Sequence, residues 1–188
     1  MTSPTPDPRP ATLTADCVAA LSAYASDDPT QRQLRDAFTD HLHATAHGWS
    51  RDCPGAHVTA SAIITSPRAD RVVLIRHRKL QRWLQTGGHI EATDATLAEA
   101  ALREAREETG LLDLRLMPGI LHLDRHEVPC GPVRPTYHLD IRFHVVASSP
   151  GLPESGEVED VRWFDAGALP TDERSVTVLV DLARHRLA

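Results

Sequence analysis

Glu104, Glu107 and Glu108 stand at i, i+3 and i+4, so on a helix their carboxylates rise from one face and crowd together. Crowded carboxylates repel one another in water, and a hard divalent cation among them removes that cost. Clusters made wholly of anionic oxygen suit Mg²⁺ or Mn²⁺. A run such as Glu-Ala-Arg-Glu-Glu is, by itself, also what a solvated helix face looks like. Its neighbours set it apart. Arg103 precedes the first glutamate, Gly110 follows the last, and a glycine pair, Gly87-Gly88, lies upstream. Arg103 is one turn from both Glu99 and Glu107 and can hold a carboxylate in place, while glycines permit close approach of a backbone.

The elements that must position these groups are written locally. Thr96-x-x-Glu99 is a capping box for a helix running to about Thr109, and Gly110 sits where a left-handed residue ends a helix. Leu97, Ala101 and Ala105 form an apolar stripe small enough to bring that helix close to a sheet. Strands are expected at Val58–Thr65, Val72–Arg76, Trp83–Thr86, Leu114–Met117, Ile120–Arg125, Tyr137–Val146 and 161–164, and a closing helix at 174–186. Upstream, residues 1–12 carry four prolines and read as a flexible tail. Residues 13–56 read as a helical extension of two helices, the first with Leu13, Cys17, Val18 and Leu21 inward. The second starts at Thr30-x-x-Gln33 after the break at Asp27-Asp28-Pro29, with the stripe Leu34, Phe38 and Leu42. Residues 57–188 form the main domain. The fold class is α/β, an α/β/α sandwich around a mixed sheet.

Composition sets the limits. A chain of 188 residues suits one domain with a real core, and a net charge of −6 with a pI near 6.0 argues against a broad nucleic-acid surface. No apolar run approaches the length of a membrane span, and the N-terminus lacks the apolar core of a secretory signal. Cys17, Cys53 and Cys130 are odd in number and widely spaced, which points to a reducing compartment, by default the cytoplasm. In 137–146 the residues His138, Asp140, Arg142 and His144 alternate with apolar ones, as in a strand with one wet face or one wall of a polar cleft. His41-x-His43-x₃-His47 with Cys53 nearby invites zinc, but the spacing is not that of a finger and a paired cysteine motif is lacking.

From Gly88 through Asp94 and Arg103-Glu104 to Glu107-Glu108-Thr109-Gly110-Leu111, the chain resembles the signature box of the Nudix hydrolase family. Two departures stand out: Asp94 replaces the usual glutamate, and eight residues rather than seven precede Arg103. The resemblance implies a Mg²⁺-dependent hydrolase, with Mn²⁺ as a substitute, acting on a diphosphate bond in a small nucleotide substrate. It implies Glu104, Glu107 and Glu108 as metal ligands, joined by the Gly88 carbonyl, and Arg103 as the group that orients them. The general base comes either from the box helix or from a later loop, where Glu157 is the candidate. His89, Arg76 and Arg142 are candidates for substrate phosphates, and the helical extension makes a homodimer plausible. Two other readings are an isomerase of the isopentenyl diphosphate type and a non-catalytic nucleotide-binding module. The first wants a cysteine facing a carboxylate across an apolar pocket; the second typically lacks box glutamates that this chain keeps.

Overall fold

The computed structural model describes residues 9–129, 133–148, 151 and 158–187. Eight strands form a single mixed sheet. Its spine is β1 (Ala56–Thr65) lying parallel to β7 (Thr136–Ala147), in register from Ala56 opposite Tyr137 to Thr65 opposite Val146. All other pairings given by the register are antiparallel. The free edge of β1 is shared by β2 (Arg71–Arg76) at one end and β4 (Thr86–His89) at the other. Beyond β2 lie the short β3 (Trp83–Leu84) and β8 (Asp160–Asp165). On its far edge β7 carries β6 (His122–Val128) and β5 (Leu114–Leu116).

Both faces are covered, as expected for a three-layer sandwich. Helix α3 (Leu97–Thr109) lies on one face with Leu97, Ala100, Ala101 and Ala105 buried against Val58, Ala60 and Ala62 of β1. Helices α1 (Arg9–Ala23) and α2 (Pro29–Ala44) extend the same layer: Leu13, Cys17, Leu21, Phe38 and Leu42 join one core with Leu97, Leu139 and Ile141. On the opposite face, α4 (Arg174–Leu187) buries Val176, Leu179, Val180 and Ala183 against Ile63, Val72 and Leu74.

Several local expectations are corrected. Helix α1 begins at Arg9, inside the segment expected to be tail, because proline is tolerated in a first helical turn, where its missing N–H has no partner to lose. The α2 cap is Asp28, whose side chain accepts the Thr30 N–H at 2.7 Å with Pro29 as the first helical residue, so Thr30 is already inside the helix. The stretch 83–86 divides into two strands, β3 following β2 and β4 following β1. A wet face on β7 does not exist at its centre: Asp140, Arg142 and His144 are all buried.

An amide closes one edge of the sheet. Gln31 of α2 donates from Nε2 to the Leu123 carbonyl at 3.0 Å and accepts the Leu123 N–H on Oε1 at 2.8 Å, as a neighbouring strand would. Tyr24 donates to the same Oε1 at 2.9 Å. This satisfies the peptide of an edge strand that would otherwise invite another chain.

Candidate functional site

The box helix is built as its sequence dictates. Thr96 Oγ1 accepts the Glu99 N–H at 3.1 Å, and Gly110 ends the helix at φ +69°, its N–H donating to the Arg106 carbonyl at 2.7 Å. Small buried residues let α3 settle on β1 and β4, where Gly88 pairs with Ala60 and Gly87 with Ser61. The glutamates therefore meet the glycine pair. A Cβ at position 88 would lie 2.6 Å from the Glu104 carboxylate, so glycine alone lets that acid stand against the strand. Glu108 Oε2 accepts the Gly87 N–H at 2.9 Å.

Arg103 binds the cluster together. Its Nη1 donates to Glu104 Oε1 at 3.0 Å and to Glu107 Oε2 at 2.9 Å. On its other side Nε and Nη2 form a two-point pair with Asp94, at 2.9 and 3.1 Å, and Nη2 also donates to the His89 carbonyl at 2.8 Å. Asp94, rather than the expected Glu99, is thus the acid that shares Arg103 with Glu104 and Glu107. The extra residue of the box is absorbed in the loop before α3, where Asp94 Oδ2 also accepts the Glu91 N–H at 2.8 Å. The Asp94 carboxylate, followed by Glu104, pushes the Arg103 guanidinium further up from its already high value, so it is charged at any working pH.

A cleft of about 180 Å³ opens beside Gly87 and Gly88. Thr59, Ser61, Asp140, His126 and His138 are among its lining residues. Asp140 is the anchor of that floor: Oδ1 accepts from Thr59 at 3.0 Å and Ser61 at 2.7 Å, and Oδ2 from Arg142 Nε at 2.7 Å. Thr59 and Ser61 escaped the sequence reading. The signal was available, since His57, Thr59 and Ser61 alternate on β1 as His138, Asp140 and Arg142 do on β7, and parallel pairing sets the two polar faces side by side.

The remaining candidates separate. Arg142, 1% exposed, spends Nε on Asp140 and Nη2 on Asp124 at 2.9 Å, and it lines a different cavity with Gln31, His122 and Asp124. It is part of a buried ion network rather than of the cleft beside the glycines. Arg76 ends β2, donating from Nη2 to Gln81 at 3.1 Å with Glu159 at 4.0 Å. Glu157 and Cys130 lie outside the described residues. His89 packs its ring against His57 and His138, with centroids 5.1 Å away in each case. Burial foremost, then neighbouring His57, pushes His89 down to about 4; burial, then His57 and His89, pushes His138 down to about 3. His57 is also lowered by burial, the Cys53 backbone offsetting part of the shift.

His41, His43 and His47, whose spacing invited zinc without matching a finger, form no metal-ligand cluster with Cys53 among the described residues. His41 Nε2 meets the Gly48 carbonyl at 3.2 Å and the His47 ring packs edge-on against Trp49. Cys17 and Cys53 are free thiols, buried and raised by desolvation, Cys17 to about 12. Neither has the reactive setting that isomerase chemistry asks of a cysteine. Among the described residues, no helix is long and apolar enough to cross a membrane.

Comparison with known proteins agrees with this geometry. The family profile described as NUDIX domain matches residues 55–181. No curated protein sequence matches the chain. Among solved structures, the Ap4A hydrolase of C. elegans is similar with a TM-score of 0.56 at 16% identity, over 69% of this chain and 96% of its own. The NUDIX domain of Shewanella oneidensis NrtR, complexed with ADP ribose, gives 0.52 at 20% identity over 70% and 88%. A UDP-X diphosphatase gives 0.53 at 16% identity, over 94% of this chain and 93% of its own, so that alignment extends into the N-terminal helices. Identities this low speak for the fold alone; the profile match, spanning well over half of the sequence, establishes that the chain belongs to the NUDIX domain family.

Proposed function

We propose that this Nudix-type pyrophosphohydrolase uses Mg²⁺, or Mn²⁺ in its place, to split a diphosphate bond in a nucleoside diphosphate joined to a second group, or in a nucleoside triphosphate. One observation carries the reading: Glu104 and Glu108 of a single helix are pinned on the Gly87-Gly88 backbone, and Glu107 is tied to them through Arg103. The donor set fits the ion. It is wholly oxygen, with three carboxylates, and it lies beside a glycine whose missing Cβ leaves room for the Glu104 carboxylate. Glu104, Glu107, Glu108 and the Gly88 carbonyl would hold it. When bound, a divalent ion there neutralises phosphate oxygens and lowers the pKa of a water.

The protein's own groups do the rest. Arg103 fixes the rotamers of two ligand acids and is itself fixed by Asp94, so the cluster is organised before substrate arrives. The cleft histidines His126 and His138 offer ring N–H donors toward an anionic group beside the glycines, while the Thr59 and Ser61 hydroxyls are spent on Asp140. Arg76 at the end of β2 is proposed for a more distant phosphate, and Glu157 as general base. Structural neighbours named for UDP-X, Ap4A and ADP ribose all concern a nucleoside carrying a phosphate chain, which is the substrate class proposed here. The free thiols fit a cytoplasmic setting.

The test is a panel of nucleotides and nucleotide-linked compounds, assayed for phosphate release with Mg²⁺ and Mn²⁺. Glu107→Gln and Glu108→Gln each lower turnover by about a hundredfold or more at unchanged circular dichroism. Full turnover in both variants removes the assignment. Reaction in ¹⁸O-labelled water, with mass analysis of the products, identifies the phosphorus attacked.

A further inference from the structure

Three histidines that played no common part in the sequence reading converge where β1, β4 and β7 meet. Parallel pairing sets His57 opposite His138, and His89 pairs with Thr59, two residues along the same face as His57. One ligand nitrogen from each of the three lies within 4.8 Å of the others. Ring centroids are 4.9 Å apart for His57 and His138, and 5.1 Å for His57 and His89. His57 is 1% exposed; the Cys53 backbone approaches its ring, yet neither ring nitrogen meets a partner at hydrogen-bond geometry, and the same holds for His89 Nε2. Buried polar atoms are ordinarily satisfied, so a buried imidazole with no well-formed hydrogen bond, placed among other imidazoles, points to a missing ligand.

We propose that His57, His89 and His138 form a second metal site, for a late first-row divalent ion such as Zn²⁺, distinct from the glutamate site. Neutral imidazole nitrogen is a donor that Zn²⁺ takes readily and Mg²⁺ does not, whereas the glutamates offer the reverse. A tetrahedral ion with Zn–N near 2.1 Å places its ligands about 3.4 Å apart, so the trio needs to close by at most about 1.4 Å. Three histidines leave a fourth position open. His138 lines the cleft beside Gly87 and Gly88, and from that side a water or an anionic substrate oxygen would enter. The two sites are also joined through the chain: the His89 carbonyl receives Nη2 of the Arg103 that organises the glutamates.

The experiment uses the full, untagged chain, stripped with chelator and titrated with Zn²⁺ in excess Mg²⁺ so that the carboxylates are occupied. One equivalent of Zn²⁺ binds, and binding weakens at least about tenfold in His138→Gln and in His89→Gln while Glu107→Gln retains it. Equal binding by wild type and both histidine variants, loss in Glu107→Gln instead, or no binding at all overturns the proposal. A readout on the wild-type chain alone guards against variants that do not fold. On adding Zn²⁺, imidazole ¹⁵N resonances of His57, His89 and His138 shift; shifts confined to His41, His43 and His47 overturn the site.

Discussion

At the scale of single residues, the adjacent glycines have different jobs and different mutational signatures. A methyl at 88 meets the movable end of Glu104, so Gly88→Ala keeps the fold and displaces an acid proposed to hold the metal. We expect turnover to fall about a hundredfold with little change in melting temperature, measured on the same sample. A methyl at 87 meets Ser61 itself, with the Ser61 Cα only 2.7 Å away and φ at +153°. Gly87→Ala therefore costs about 2 kcal/mol in denaturant unfolding, from overpacking against backbone that cannot swing aside. Asp94→Ala leaves the Arg103 guanidinium, itself largely buried, without its two-point partner. Its expected cost is about 3 kcal/mol, accompanied by a weaker apparent affinity for Mg²⁺ in activity titrations. The glutamates were legible in the sequence because their geometry is local, three residues within two turns. The Asp94–Arg103 pair was half legible: the loop length obscured an acid that the fold nonetheless delivers to the guanidinium.

Elements were legible where one segment carries its own instructions. Helix α3 starts at its threonine cap and stops at its glycine because both devices act within four residues. The β7 pattern fixed a strand but not its surroundings, since alternation cannot tell solvent from a second layer of protein. Asp140, Arg142 and His144 look wet in sequence and are buried because α4 and the neighbouring strands cover them and supply partners, Thr65 for His144 among them. The histidine trio was illegible for a related reason: positions 57, 89 and 138 meet only through two strand registers. Helix α2 yields the prediction at this scale. Gln31→Ala strips the Leu123 peptide of both partners and Tyr24 of its acceptor. Stability should drop by about 2 kcal/mol, and amide exchange should accelerate first in α1, α2 and β6. Uniform exchange across the sheet would show that the amide is not what holds the extension down.

For the whole molecule, buried histidines set a sensitivity to acid. His57, His89, His138 and His144 sit below the 6.5 of an exposed imidazole, the last three at about 4, 3 and 4, with burial the leading cause in each. Between pH 6.5 and about 4 the unfolded chain takes up protons that the folded one refuses. Stability from this source is complete above 6.5 and declines as pH falls through that window, so melting temperature should slide from pH 7 to 5. The slope should flatten in His138→Gln; an unchanged slope would assign the loss to carboxylates. The long parallel pairing at the centre of the sheet bears also on how the protein is made. Rung by rung, β1 waits for a partner that lies 81 residues downstream, as from Ala56 to Tyr137. At ribosomal speeds of about 5–20 residues per second, that delay is roughly 4–16 s. Throughout it a nascent chain that has already released α3 still presents a naked, alanine- and isoleucine-rich border, the kind of surface that chaperones at the tunnel exit cover.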